Sequence, residues 1–216
     1  MKTLSKAVAI ASLVSAGALT TTVAQAEVAY NAAVVSDYVW RGTTQNDNGF
    51  AIQGGADYAH ESGLSVGAWA STIMLDADDG EDTIEVDLYG AYGFNAGGLD
   101  AHVGVISYQY DESDSATEIN AGVGKDAWAA MWSMDTDSND MYLEGSYGLE
   151  LPQEMGLDLH LGYRIPDDSA VDEILDLSAT IGKSLEMVDI SATVTYIDAD
   201  FVEDDVLAYV MVSKEF

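Results

Sequence analysis

A chain of 216 residues with 38 Asp and Glu against seven Lys and Arg carries a formal charge of −31. That balance excludes nucleic-acid binding, which depends on cations neutralising phosphates. The absence of cysteine excludes the small disulfide-stapled scaffolds, and the length fits one domain.

Residues 1–26 have the layout of a cleaved export signal: Lys2 and Lys6, an apolar centre from Ala7 to Leu19, then Ala24-Gln25-Ala26. A buried N-terminal helix is the alternative. The mature chain is expected to span residues 27–216, beginning at Glu27. Its cations are then Arg41, Lys125, Arg164, Lys183 and Lys214, and its formal charge falls to −33. Beyond residue 26 no run of about 18 apolar residues occurs, so no membrane helix is expected.

From Val28 onward the hydrophobic period is two. In "VAYNAAVVSDYVW" one phase reads Val28, Tyr30, Ala32, Val34, Ser36, Tyr38, Trp40, and the other contains Asn31 and Asp37 and reaches Arg41. Such alternation predicts a strand with one apolar side. It recurs in twelve segments, near 28–41, 49–60, 63–75, 83–94, 98–110, 116–125, 126–134, 141–151, 156–165, 173–184, 187–197 and 205–216, without a convincing helical period between them.

The connections alternate as well. "ESG", "NAGG", "KD", "PQEM" and "SLE" are short, whereas "TTQNDN", "DADDGED", "DESDS", "DTDSND", "PDDSAVD" and "DADFVED" are longer and acidic. Short turns at one end and longer loops at the other predict an all-β fold: a transmembrane antiparallel up-and-down β-barrel of about 12 strands, of the outer-membrane type. With strands running alternately up and down, Tyr30, Tyr58, Tyr92, Phe94 and Phe216 fall at the lower edge of the apolar face. Tyr38, Trp40, Phe50, Tyr163 and Tyr196 fall at the upper edge. Two aromatic girdles suit a bilayer; a soluble sandwich, the competing reading, would turn its apolar phase onto a second sheet. The mid-strand acids Asp57, Glu85, Asp87, Glu144, Asp158 and Asp176 lie in the opposite phase and need water beside them. About 190 mature residues allow roughly 16 per strand and turn, which leaves no room for sixteen strands.

The block "SDYVWRGTTQNDNGFAIQGGADYAHESGLSVGAWAS", residues 36–71, resembles the TorF-type family of porins, Gram-negative outer-membrane proteins long held as a conserved family of unknown function. The resemblance is carried by Ser36, Asp37, Tyr38, Arg41 and Gly42, by Gln45, by a change of phase at Gln53, Gly54 and Gly55, and by the Tyr58, His60, Gly63 and Gly67, Trp69–Ser71 pieces. It covers about the first third of the mature chain and implies an outer-membrane porin: a passive channel for small hydrophilic solutes. The end of the chain agrees independently. Val206, Ala208, Val210 and Val212 run in phase to a terminal Phe216, like the signal that bacterial barrels present to the assembly machinery. Lys214 interrupts that phase but can snorkel to the interface.

Phase places Arg41 and Arg164 at upper lumen positions. Asp37 is expected on the same strand face as Arg41, roughly 13 Å away by the strand rise, with Glu85, Asp87 and Glu144 also facing the lumen. Two readings stay open: a charged constriction that filters solutes, or arginine–carboxylate pairs that hold a narrow barrel shut. Strand count does not choose, because eight strands fill with side chains and sixteen leave a channel. An acidic lining would favour cationic or neutral solutes.

No catalytic residue, metal site or cofactor is expected. "DTDSND" fails as a calcium loop, with Asp140 at the sixth position and Ser146 at the twelfth. His60, His102 and His160 lie in separate segments without ligand spacing, and a barrel lipase would need a triad that their placement does not offer. The expected partners are outer-membrane lipid and lipopolysaccharide, the assembly machinery through Phe216, and small solutes. A non-conducting structural or surface-interaction barrel working through its acidic loops is the alternative function.

Overall fold

Hydrogen bonding turns the two-residue period into a closed wall. The computed structural model describes residues 27–73, 83–111, 113–199 and 206–216. The expected signal at 1–26, the acids within 74–82 and 200–205, and Glu112 lie outside the described residues. The strands are β1 (Glu27–Val35), β2 (Val39–Trp40), β3 (Thr43–Thr44), β4 (Ala51–Ala59), β5 (Leu64–Ile73), β6 (Thr83–Ala96) and β7 (Leu99–Tyr110), then β8 (Ala116–Lys125), β9 (Trp128–Asp135), β10 (Met141–Leu151), β11 (Met155–Ile165), β12 (Ile174–Ser184), β13 (Asp189–Asp198) and β14 (Val206–Glu215). All but β2 and β3 form one closed antiparallel barrel of twelve strands, each paired with its neighbours in chain order.

The seam is closed by the two ends of the described chain. β1 pairs with β4 from Glu27↔Ala59 to Val35↔Ala51 and with β14 from Asn31↔Glu215 to Val35↔Met211. The Phe216 amide donates to the Tyr30 carbonyl at 2.8 Å, and the Tyr30 amide donates back at 3.3 Å. Closure leaves no free sheet edge.

Short turns gather at one end. Gly97 and Gly98 have φ of 67° and 91°, the pair of positive values that a two-residue hairpin of matching twist requires. At the opposite end the β9–β10 and β11–β12 connections present exposed acids, among them Asp137, Asp167, Asp168 and Glu173.

The barrel is greasy outside and polar inside. Tyr30, Val34, Ile52, Leu88, Val103, Leu161, Val194 and Val210 are each roughly half exposed, while Gln53, Ser71, Glu85, Asp87, Ser133 and Asp176 are buried within. A soluble domain does not expose an apolar belt of this extent; a barrel in lipid requires one. The lower girdle is as expected, with Tyr30, Tyr58, Tyr92, Phe94 and Phe216 exposed and joined by Trp128 and Tyr147. Lys214 extends its ammonium to 5.0 Å from the Phe216 ring.

Two expectations need correction. The first strand ends at Val35, not at residue 41, and Tyr38 is 3 % exposed, so Tyr38 and Trp40 leave the upper girdle and turn inward. The phase does not change at Gln53–Gly55 either, since the β1–β4 register runs unbroken through Gln53↔Ala33, Gly54↔Ala32 and Gly55↔Asn31.

Inward glycines set the shape of the bore. Gly67 and Gly122 sit directly across from Tyr89 and His102, and a Cβ at either glycine would overlap that ring. Small residues on one strand thus let large polar rings lie along the next strand rather than projecting to the axis.

Candidate functional site

After Val35 the chain leaves the wall, and β2, β3 and the turn between them fold into the bore. Ser36 stays tied to β14, its amide donating to the Val210 carbonyl at 2.9 Å and its hydroxyl accepting from the Val210 amide at 3.0 Å. From there β2 and β3 pair through Val39↔Thr44 and Trp40↔Thr43. Arg41 and Gly42 make the tip, with φ of 48° and 82°. A non-glycine residue in the left-handed region is uncommon, and such backbone persists only where its surroundings hold it.

The neck is a polar knot. The Thr44 hydroxyl donates to Asp37 Oδ1 at 2.6 Å, the Tyr38 amide donates to Asn46 Oδ1 at 2.9 Å, and the Gln45 amide donates to the Tyr38 carbonyl at 2.7 Å. Asn46 in turn donates to the Gly49 carbonyl, and the Gln45 side chain donates to the Thr43 carbonyl at 3.1 Å. Apolar packing anchors one flank: the Tyr38 ring meets Trp69 of β5 edge-on at 5.5 Å, within a cluster that includes Val35, Ala51 and Ile73.

The tip reaches the far wall. Arg41 donates from Nη1 and Nη2 to the two oxygens of Glu118 on β8, at 2.7 and 2.8 Å. Its guanidinium carbon lies 4.1 Å from the centre of the Tyr142 ring on β10 and 4.3 Å from that of Trp40. Trp40 packs on Tyr108 of β7 at 5.9 Å. At Gly42 the backbone lies against β12 and β13, so that a Cβ there would be 2.9 Å from Asp176 Cβ and 3.1 Å from Ile197 Cβ. The neck on β14 and the tip on β12 and β13 lie along neighbouring strands, and it is the Arg41 and Trp40 side chains that carry the hairpin across the bore to β8 and β7.

Around this tip the wall contributes carboxylates fixed by phenols. Tyr108 donates to Glu118 Oε2 at 3.2 Å, Tyr110 to Glu85 Oε1 at 3.1 Å, and Tyr142 to Asp176 Oδ2 at 2.8 Å. His160 of β11 lies between Asp176 and Glu144, its Nε2 3.2 Å from Asp176 Oδ1 and its Nδ1 3.7 Å from Glu144 Oε2. Deeper, Tyr89 donates to Asp57 Oδ1 at 2.5 Å. A bidentate, aromatic-flanked Arg–Glu pair of this kind is among the stronger charged contacts, and removing one partner of a buried pair costs about 3–5 kcal/mol.

The expected lumen residues divide into two groups. Arg41, Glu85, Asp87 and Glu144 come together at the level of the hairpin tip. Asp37 stays in the neck, bonded to Thr44, and does not face Arg41 across a strand. Arg164 remains at the mouth, where its Nε donates to Asp140 Oδ2 at 3.2 Å, and the Asp167 amide donates to Asp140 Oδ1 at 3.0 Å. Burial pushes the Asp140 carboxyl up, but the Arg164 and Asp167 donors outweigh it and hold the carboxyl below its ordinary range. Of the motif residues, Gln53 faces inward and donates to Ser71 Oγ at 3.4 Å, while Gly54 faces outward. Glu118, the partner of Arg41, is not among the expected lumen residues. Its strand alternates weakly, yet Glu118, Asn120, Gly122 and Gly124 share the inward phase against Ile119, Ala121 and Val123, a signal short enough to pass over.

The Tyr142 hydroxyl also lies 3.2 Å from His160 Nε2. Among the described residues, no group of three His, Asp or Glu side chains is placed to hold a metal ion.

The same barrel is found in solved porin structures. The KdgM porin aligns with a TM-score of 0.60 at 6% identity, over 87% of this chain and 98% of that chain. KdgM porin in complex with disordered oligogalacturonate gives 0.59 at 7% identity, over 88% and 98%. The Acinetobacter baumannii outer membrane protein Omp33 gives 0.53 at 7% identity, over 89% and 98%. At such identities the likeness is one of fold. No curated protein sequence matches the chain. Residues 20–215 match the family described as "Bacterial protein of unknown function (Gcw_chp)", and the chain belongs to that family.

Proposed function

We propose that this member of the Gcw_chp family is an outer-membrane porin: a passive channel for small hydrophilic solutes, cationic or neutral, whose constriction is the inner hairpin. The narrower TorF-type assignment belongs to the same proposal and rests on the residue 36–71 motif. So do export through a signal cleaved after Ala26, assembly through Phe216, and contact of the acidic loops with lipopolysaccharide.

One observation carries the reading. A closed barrel with an apolar outside encloses a bore lined by Glu85, Asp87, Glu118, Glu144 and Asp176, against which Arg41 supplies the one fixed guanidinium at that level. An interior of this polarity is of use only to something hydrated, and its sign raises the local concentration of cations. The oligogalacturonate held by the KdgM neighbour is of the opposite charge, so the solute class is expected to differ.

A second reading is favoured by the hairpin itself, which crosses the bore: a non-conducting barrel whose acidic loops do the work. Purified protein in a planar bilayer separates the two. The channel reading expects stepwise currents with a reversal potential on the cation side under a salt gradient, and swelling of liposomes in small sugars. Anion preference would overturn the assigned solute charge. Absence of both steps and swelling would leave the non-conducting barrel.

A further inference from the structure

The tip of the hairpin is held as a ligand would be. A planar guanidinium lies between two ring faces, with a two-pronged carboxylate on its edge. Only Trp40 travels with Arg41; Glu118, Tyr108 and Tyr142 belong to the wall. That wall carries more acidic groups than Arg41 and His160 engage. Asp87 is 2 % exposed and its Oδ1 finds no hydrogen-bond donor, and Glu144 Oε1 is likewise without one. On the cationic side Arg41 Nε is unpartnered as well, the fork being engaged only through its two terminal nitrogens.

We infer that the wall around Glu118 is a binding site for guanidinium-bearing solutes, which Arg41 occupies while the hairpin is seated and such a solute occupies when it lifts. This deepens the channel reading by naming its solute class, and rests on that reading. The physical reason is charge replacement. Lifting Arg41 alone strands Glu118, buried beside Asp87 and Glu144, without a counter-charge, so the lifted state is disfavoured until a cation takes its place. Among cations a guanidinium fits best: its flat fork matches both carboxylate oxygens and its face lies on Tyr142, whereas an ammonium offers a point charge without the fork.

Binding is measured apart from transport. R41A barrel refolded in detergent vacates the site, and Trp40 and Trp69 report on it by emission. Titration with methylguanidinium is expected to give a saturable shift at least ten times tighter than with methylammonium, and R41A/E118Q is expected to lose it. Equal response to both probes, or an unchanged response in R41A/E118Q, would overturn the site. Should R41A not refold, R41Q keeps a polar side chain at the tip without the charge and so vacates the site. The comparison of R41Q with R41Q/E118Q then decides in the same way. Bilayer currents through the same variants keep the two claims separate. Variants that bind methylguanidinium but never conduct would sink the channel and leave the site, while conduction without selective binding would sink the site alone.

Discussion

Gly42→Ala tests whether the hairpin is seated across the bore, and its effect follows from geometry. At φ of 82° a side chain is strained, which costs an alanine about 1–2 kcal/mol. The added Cβ would also lie 2.9 Å from Asp176 Cβ, 3.1 Å from Ile197 Cβ and 3.2 Å from Ile197 Cδ1. Overpacking of this kind costs about 1–3 kcal/mol. A combined cost near 3 kcal/mol raises the population of lifted hairpin about 100-fold, at tenfold per 1.4 kcal/mol. The wall strands are untouched, so the barrel stays folded. The assay is tryptic cleavage after Arg41. In the seated hairpin the Arg41 side chain is 15% exposed and lies inside the bore, out of reach of a protease. When opening is fast compared with cutting, cleavage tracks the open population. Refolded barrel beginning at Glu27 should therefore be nicked after Arg41 about 100 times faster in G42A, read as the 27–41 fragment after denaturation because β1 stays paired in the wall, with the heat-modifiable gel mobility of the nicked barrel unchanged. If G42A is folded and as resistant as the parent, the tip does not rest on β12 and β13, and the crossing hairpin is wrong.

Gly122→Ala places a Cβ against the His102 ring, 2.9 Å from Nδ1, and is expected to cost the barrel about 1–3 kcal/mol, read as a lower unfolding temperature in detergent. An equal unfolding temperature would mean that the ring swings freely. At the mouth, Asp140 has a folded-state pKa below its unfolded value, so its contribution is present above the unfolded pKa and lost as pH falls through the folded one. A carboxyl-carbon NMR titration should give a midpoint below the ~3.9 of a free aspartate. Because Arg164 is 37% exposed, Asp140→Asn should change stability by no more than about 1 kcal/mol.

The wall was legible because its signal is local and repeated. Each strand carries its own alternation, as in Ile84, Val86, Leu88 against Glu85, Asp87, Tyr89, and the Gly97-Gly98 turn announces its backbone. The site was legible only in part. Glu85, Asp87 and Glu144 keep the inward phase of the wall, whereas Arg41 reaches their level from the hairpin tip and not from the phase of the first strand. Tyr38 and Trp40 have the same spacing as lipid-facing residues and were read as a girdle, since alternation carries no mark of where a chain stops being wall. The one cue is the neck, where Ser36 interrupts the apolar phase and Arg41-Gly42 follows.

What the amino-acid sequence determined by itself is the barrel: twelve segments of period two, an apolar side and an acidic side, short turns at one end and acidic loops at the other. Those are properties of neighbours in the chain, fixed by the pleat and by the need to put carboxylates beside water. What only the tertiary structure decided is the inside. Arg41 meets Glu118 on the far wall across 77 positions of sequence, and Gly42 lies against Ile197 of β13. Such partners are chosen by closure of the sheet and by which walls the hairpin tip can reach, and no local period encodes a distance across a lumen.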